Sequence, residues 1–105
     1  MNSFPIEICA RHMDLTDSMR SYAEKKIYGL PMTTPRITDA KVVFDTQKHG
    51  QIAEIVFYCA NHVTLEAKTE TANLYEAFDL TLSKIQRQMR KEKTRLERLN
   101  HGVTR

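Results

Sequence analysis

Positively charged side chains are concentrated in one stretch of the chain, from Lys84 to Leu99. This stretch contains seven of the sixteen Lys and Arg residues and only two acids, Glu92 and Glu97, so its net charge is +5. Because the whole chain carries +3, the remaining residues sum to −2, and the basic character belongs to one element. Such side chains could bind phosphate groups. The seven basic residues are Lys84, Arg87, Arg90, Lys91, Lys93, Arg95 and Arg98.

The basic residues of this stretch follow the repeat of an α-helix. At about 100° per residue, five of them, separated by 3, 4, 4 and 3 positions, fall within an arc of roughly 80°. Apolar residues form a second arc, centred about 140° away. The pattern predicts a helix that buries one face and points cations outward. The outward set, named here the cation row, is Lys84, Arg87, Lys91, Arg95 and Arg98; the apolar arc is Leu74, Phe78, Leu82, Ile85, Met89 and Leu96.

The cation row has two interpretations, a solvated helix surface or a binding surface for a polyanion. Like charges four residues apart on a helix cost a few tenths of a kcal/mol each. Arg87, Lys91 and Arg95 are spaced four residues apart, and the cation row contains no acid. A polyanion partner would offset that cost, which favours the second interpretation.

Cysteine and histidine form two C-x-x-H units, Cys9–His12 and Cys59–His62, which together could in principle supply a Cys₂His₂ zinc site. Motifs for nucleophilic catalysis and zinc-protease motifs do not occur, and the chain has only three glycines and no phosphate-binding loop. We therefore expect no enzyme activity, no cofactor and no small-molecule substrate. Asp14 and Asp17 are explained by a helix start.

Four strands and two helices are expected. Alternating residues predict strands at Phe4–Ala10, Ala40–Asp45, Ile52–Cys59 and Val63–Lys68, with turns at 48–50 and 60–61. Thr16 is the expected N-cap of the first helix, which Gly29 and Pro31 terminate. A short Pro-containing connection at 33–36 follows. The second helix contains the apolar arc and the cation row.

The element order β-α-β-β-β-α predicts an α+β fold. The first two strands should be parallel through a right-handed crossover, and the two short connections require antiparallel hairpins. Two helices would cover one face of a mixed four-stranded sheet. The other face would present Lys41, Asp45, Glu54, Tyr58, Glu66 and Lys68 to water. In this topology the two C-x-x-H units lie at opposite ends of the sheet, so neither a metal site nor a Cys9–Cys59 disulfide is expected.

Composition predicts an ordinary globular chain. Apolar residues make up 41% and charged residues 28%. We expect one domain over residues 1–105, with a core at about 4–99 and a short tail at 100–105. Neither a signal peptide nor a membrane span is supported, and two cysteines do not make a disulfide framework, so a cytoplasmic location is expected.

Several segments together resemble the bacterial ribosome hibernation promoting factors, also called ribosome-associated inhibitors. They are HMDLTDSMRSY at 12–22, EKK at 24–26, NLYEAFD at 73–79 and KIQRQMRK at 84–91. The likeness covers roughly residues 4–99, and its β-α-β-β-β-α fold agrees with the prediction from periodicity. The chain resembles a short form, since no second domain follows. The family usually extends the first helix with further charged residues, whereas Tyr28–Pro31 ends it early here.

The resemblance implies a protein that binds the small ribosomal subunit in the channel used by messenger and transfer RNA. Binding there would inhibit translation and preserve idle ribosomes under stress or in stationary phase. Short forms include members that promote ribosome dimers and members that oppose them; the six-residue tail favours the first type. The free protein is expected to be a monomer. The implied ribosomal RNA contacts are Arg20, Lys25, Lys26, Lys84, Arg87, Lys91 and Lys93, to which the charge pattern adds Arg90, Arg95 and Arg98; Tyr75 and Asp79 also match the family, in an open role.

Two other functions stay open at this point. A basic amphipathic helix could dock on an acidic protein, for example in the transcription machinery. Alternatively, β-β-β-α is also the core of double-stranded RNA-binding domains, so the chain could bind duplex RNA by itself.

Overall fold

The computed structural model describes residues 4–31 and 35–103. The elements, in chain order, are β1 (Ile6–Arg11), α1 (Asp17–Tyr28), β2 (Ile37–Gln47), β3 (Gly50–Cys59), β4 (Val63–Thr71) and α2 (Leu74–Val103), with a single 3₁₀ turn at Ala60–His62 between β3 and β4. The predicted α+β fold with the order β-α-β-β-β-α is confirmed. Residues 33 and 34 of the expected connection, and residues 104 and 105 of the expected tail, lie outside the described residues; residues 100–103 of that tail continue α2.

The sheet has the spatial order β1-β2-β3-β4, with β1 parallel to β2 and the two following pairs antiparallel. This is the predicted topology. Cys9 lies opposite Val43 near one end of β2, whereas Cys59 lies opposite Ile37 at the other. The two C-x-x-H units are therefore separated as expected, and both cysteines are free thiols. Within the described residues, no group of three or more His, Cys, Asp or Glu side chains could hold a metal ion.

The core lies between one sheet face and both helices. Alternate strand residues point into it, and Val42, Phe44, Ile55 and Phe57 are at most 1% exposed. Helix α1 adds Met19, Ala23 and Ile27 to the same cluster. Helix α2 adds four of the six residues of the predicted apolar arc as buried side chains, namely Phe78, Leu82, Ile85 and Met89. The remaining two, Leu74 and Leu96, are half-buried.

The open sheet face differs from the prediction at Asp45. We expected this carboxylate to be exposed, but Asp45 is buried, and its two oxygens accept hydrogen bonds from His12 Nδ1 at 2.8 Å and Gln47 Nε2 at 2.7 Å. His12 stands just after β1 with a φ of 61°, in the left-handed region that residues other than glycine rarely adopt. The hydrogen bonds from His12 and then from Gln47 lower the pKa of Asp45 from its ordinary value of 3.8.

This lowered pKa predicts how the fold responds to acid. A carboxyl group whose pKa is lower in the folded state stabilises the protein above its unfolded-state pKa, and this stabilisation is lost as the pH falls through the folded-state value. We expect Asp45→Asn to be less stable than the parent protein at pH 7, and the difference to shrink below about pH 4. Urea unfolding at both pH values measures this effect. Glu54→Gln, on the same sheet face, is the control; parallel pH curves for the parent and Asp45→Asn would contradict the prediction.

Candidate nucleic-acid interface

Helix α1 begins at the predicted cap. The Thr16 hydroxyl oxygen accepts a hydrogen bond from the Met19 backbone N–H at 3.1 Å, and Asp17 occupies the first turn, where the helix dipole favours an acid. The helix ends at Tyr28, with Lys25 and Lys26 in its last turn, where the dipole favours a base. Local sequence therefore places two of the predicted contact residues at the carboxyl end of α1.

The three cations of α1 point in different directions. Arg20, Lys25 and Lys26 are all exposed, but Arg20 and Lys25 are about 140° apart around the helix. Lys26 lies toward α2, with its Nζ atom 3.9 Å from Asp79 Oδ1. The structure therefore brings Lys26, but not Arg20, to the junction of the two helices.

Helix α2 is the longest element, with 30 residues and a length of about 45 Å. Its first turn is capped by Asn73, whose side-chain oxygen accepts a hydrogen bond from the Glu76 backbone N–H at 3.1 Å. Met89 is its last buried residue, and every side chain from Arg90 to Leu99 is half-buried or exposed. The basic half of the helix is thus in contact with solvent.

Most of the basic side chains of α2 are available to a ligand. Within the described residues, the side chains of five of the seven make no hydrogen bond or ion pair with any other group of the protein, and all five are exposed. They are Arg87, Arg90, Lys91, Lys93 and Arg98.

The other two predicted contacts, Arg95 and Lys84, have partners inside the protein. Arg95 pairs with Glu92 three residues earlier, its Nε atom 2.8 Å from Glu92 Oε1, and this pairing raises the pKa of Arg95 above its ordinary value. Lys84 Nζ donates to the backbone oxygen of Lys68 on β4 at 3.2 Å. Next to it, Gln88 Nε2 donates to the backbone oxygen of Glu66 at 2.8 Å. Lys84 and Gln88 together therefore cover part of the free edge of β4.

The two helices are joined by a polar and aromatic cluster that sequence reasoning did not find. The Tyr22 hydroxyl of α1 lies 2.8 and 2.7 Å from the two carboxylate oxygens of Asp79 on α2. The Tyr22 ring meets the Tyr75 ring edge-on, with centroids 4.8 Å apart, and Lys26 Nζ lies 5.4 Å from the Tyr22 centroid. We name Tyr22, Lys26, Tyr75 and Asp79 the interhelix cluster.

Hydrogen bonding within the interhelix cluster changes the ionisation of Tyr22. The bond to Asp79, with burial and the charge of Asp79, raises the pKa of Tyr22 above its ordinary value of 10.0. A phenolate beside a carboxylate is unfavourable, so the neutral phenol is retained. Tyr75 and Asp79, whose role was open in the sequence, thus contact α1.

The chemistry available on the helix face is electrostatic. Exposed guanidinium and ammonium groups donate charge-assisted hydrogen bonds to phosphate oxygens, and such contacts orient a protein on nucleic acid without reading its sequence. A long helix with a surplus of unpaired cations suits structured RNA bound through its backbone and shape.

Comparison with known proteins places the chain in a family. Residues 6–97 match the family model described as Sigma 54 modulation protein / S30EA ribosomal protein, and the chain belongs to this family. It is 32% identical, over 88 residues, to the ribosome hibernation promoting factor of Azotobacter vinelandii; the match covers 84% of this chain and 81% of the relative. The predicted family resemblance is confirmed.

Solved structures share the fold. A ribosomal subunit interface protein from Coxiella burnetii superposes with a TM-score of 0.80 over 87% of this chain and 99% of that one, at 22% identity. The N-terminal domain of Thermus thermophilus Protein Y superposes with a TM-score of 0.72 over 87% of this chain and 98% of that one, at 27% identity. In the part of the chain that the structure describes, no helix is long and apolar enough to span a membrane.

Proposed function

We propose that this protein is a ribosome hibernation factor that binds the small ribosomal subunit and silences translation. The observation that carries the proposal is the set of exposed α2 cations without internal partners, Arg87, Arg90, Lys91, Lys93 and Arg98. Family membership and the name of the Azotobacter vinelandii relative support the ribosome as the source of the phosphates.

In this proposal the protein acts by occupying a site, without catalysis. The α2 cations, with Arg20, Lys25 and Lys26 of α1, contact phosphates of ribosomal RNA in the channel for messenger and transfer RNA. Lys84 and Arg95 join them with the donors that their internal partners leave free, since an ammonium has three N–H groups and a guanidinium has five. Translation is inhibited in the cytoplasm under stress or in stationary phase, and the idle ribosomes are preserved, in some cases as dimers.

Salt dependence provides the experimental test. If at least six phosphates are engaged, affinity for purified small subunits should fall by about 10³-fold or more between 50 and 200 mM salt, because bound counterions are released on association. Cosedimentation across a salt series measures this slope. Binding that is unchanged over the series would contradict a phosphate-dominated interface.

The family description also names modulation of sigma 54, which keeps a protein partner in the transcription machinery as a second candidate. A pull-down from nuclease-treated lysate separates the two functions. A ribosomal partner held through RNA is lost after nuclease treatment, whereas an acidic protein bound directly to α2 is retained.

A further inference from the structure

Asp79 is an acid beside a surface that we propose binds phosphates. Its side chain is 45% exposed, and it lies on α2, two turns before the exposed Arg87. Ribosomal RNA brought to this face would be repelled by the carboxylate, since like charges at an interface oppose association. Asp79 is therefore unfavourable for RNA binding as an isolated charge.

The contacts of Asp79 indicate a role that would offset this repulsion. Both carboxylate oxygens lie within hydrogen-bond distance of the Tyr22 hydroxyl, and Lys26 Nζ lies 3.9 Å from one of them. Tyr22 and Lys26 lie one turn apart on α1, so a single α2 side chain contacts two turns of the other helix. Tyr75 lies on α2 one turn before Asp79, and its ring packs against the Tyr22 ring of α1.

Apolar packing turns the buried stripe of α1 toward the sheet, but a directional contact fixes the rotation of α1 about its own axis more closely. Helix α1 contributes Met19, Ala23 and Ile27 to the core, and their burial is favourable but not directional. The Tyr22–Asp79 hydrogen bond is directional and weakens steeply when its angle changes. This hydrogen bond lies on the side of α1 that faces α2, so rotation of α1 about its own axis would break it.

We propose that Asp79 is a positioning residue, which holds α1 through Tyr22 and Lys26 so that the cations of α1 keep fixed positions relative to the cation row of α2 when the phosphates of structured RNA bind. This inference rests on the proposed function. It assigns to Asp79 a favourable contribution to RNA binding, opposite in sign to that of a simple surface acid.

The sign of this contribution can be measured with Asp79→Ala, which removes both the charge and the acceptor. We expect affinity for small ribosomal subunits to fall by about 3- to 10-fold, and the slope of log affinity against log salt to become shallower by about one to three, as the α1 cations lose their fixed positions relative to α2. An acid without a positioning role would give the opposite result, since its removal strengthens binding to phosphate.

Two further variants separate the hydrogen bond from the charge. Asp79→Asn keeps an oxygen that can accept from the Tyr22 hydroxyl, so it should recover most of the affinity lost in Asp79→Ala. Tyr22→Phe removes only the donor and should weaken binding like Asp79→Ala. The double variant Tyr22→Phe with Asp79→Ala should have an affinity no lower than that of the single variant that binds more weakly. The reason is that the two substitutions remove the same interaction.

A matched control and a spectroscopic readout complete the design. Glu97 is an exposed acid of the same helix without an ion-pair partner in the described part of the chain, so Glu97→Ala should leave affinity unchanged or raise it. Absorbance titration of the tyrosines, with Tyr22→Phe as the reference, should show that Asp79→Ala lowers the pKa of Tyr22. That shift confirms the contact in solution, independently of RNA.

The outcomes distinguish this inference from the proposed function. Absence of salt-dependent binding by the parent protein would overturn the proposed function. Salt-dependent binding by the parent, combined with equal or tighter binding by Asp79→Ala at an unchanged salt slope, would overturn the positioning role alone. If Asp79→Ala does not fold, Tyr22→Phe decides the question, and undiminished affinity of that variant overturns the inference.

Discussion

Replacing Arg87 and Lys91 together by glutamate is expected to weaken binding to small ribosomal subunits by about 100-fold or more. Hydrogen bonds to charged groups are worth about 1.5–3 kcal/mol each, and the variant replaces two such contacts with repulsion. Both side chains are exposed, so the midpoint of thermal unfolding should change by only a few degrees. Quantitative cosedimentation at constant salt measures the loss of binding.

Arg87 and Lys91 are preferable to Lys84 and Arg95 of the cation row for this test. Lys84 also contacts β4 and Arg95 is paired with Glu92, so substitutions there would change internal contacts as well as surface charge. The matched control is Lys48→Glu with Lys68→Glu, which makes the same change in net charge in the β2–β3 turn and on the open sheet face. Lys68 contacts Lys84 of α2 through its backbone oxygen, which the substitution retains. If this control loses as much affinity, binding depends on total charge and the α2 face is not the interface.

The second large effect is expected in the core, at Phe78. Its side chain is fully buried, and its ring lies 5.9 Å from the rings of Phe44 on the sheet and Tyr22 on α1. Phe78→Ala should reduce the free energy of unfolding by about 3–5 kcal/mol, because it loses apolar burial and leaves a cavity. A loss of this size is a large fraction of the roughly 5–15 kcal/mol that stabilises a typical domain.

Equilibrium unfolding in urea, with the midpoint and slope fitted together, measures this loss. Leu80 on the same helix is 44% exposed and provides the comparison: Leu80→Ala should change the free energy by no more than about 0.5 kcal/mol. Similar losses in the two variants would mean that Phe78 is not the central contact between α1, α2 and the sheet.

The fold could be predicted because its elements repeat along the chain. Alternation in β3 and the apolar arc of α2 are regular over many residues, and short connections leave few topologies. Three of the four strands are nevertheless longer than predicted, whereas β1 begins at Ile6 and not at Phe4. β2 begins at Ile37 and β4 continues to Thr71, since polar residues on the open face can extend a ladder without apolar alternation.

Individual long-range contacts could not be predicted in the same way. Tyr22 and Asp79 are 57 residues apart, and His12 and Asp45 are 33 residues apart, so neither pair leaves a periodic pattern in the sequence. The same limit applies to the candidate site. Periodicity placed the cation row on one face of α2, but it could not show that Lys84 reaches β4 or that Arg95 turns toward Glu92, because these contacts depend on side-chain conformation.

The contacts of Lys84 and Gln88 with β4 also affect how the protein behaves at high concentration. An uncovered edge strand can pair with a strand of another molecule, and this is a common route to aggregation. The two side chains occupy backbone oxygens of Glu66 and Lys68 that such a strand would need. Addition of another strand at these two positions is therefore opposed by the side chains of α2.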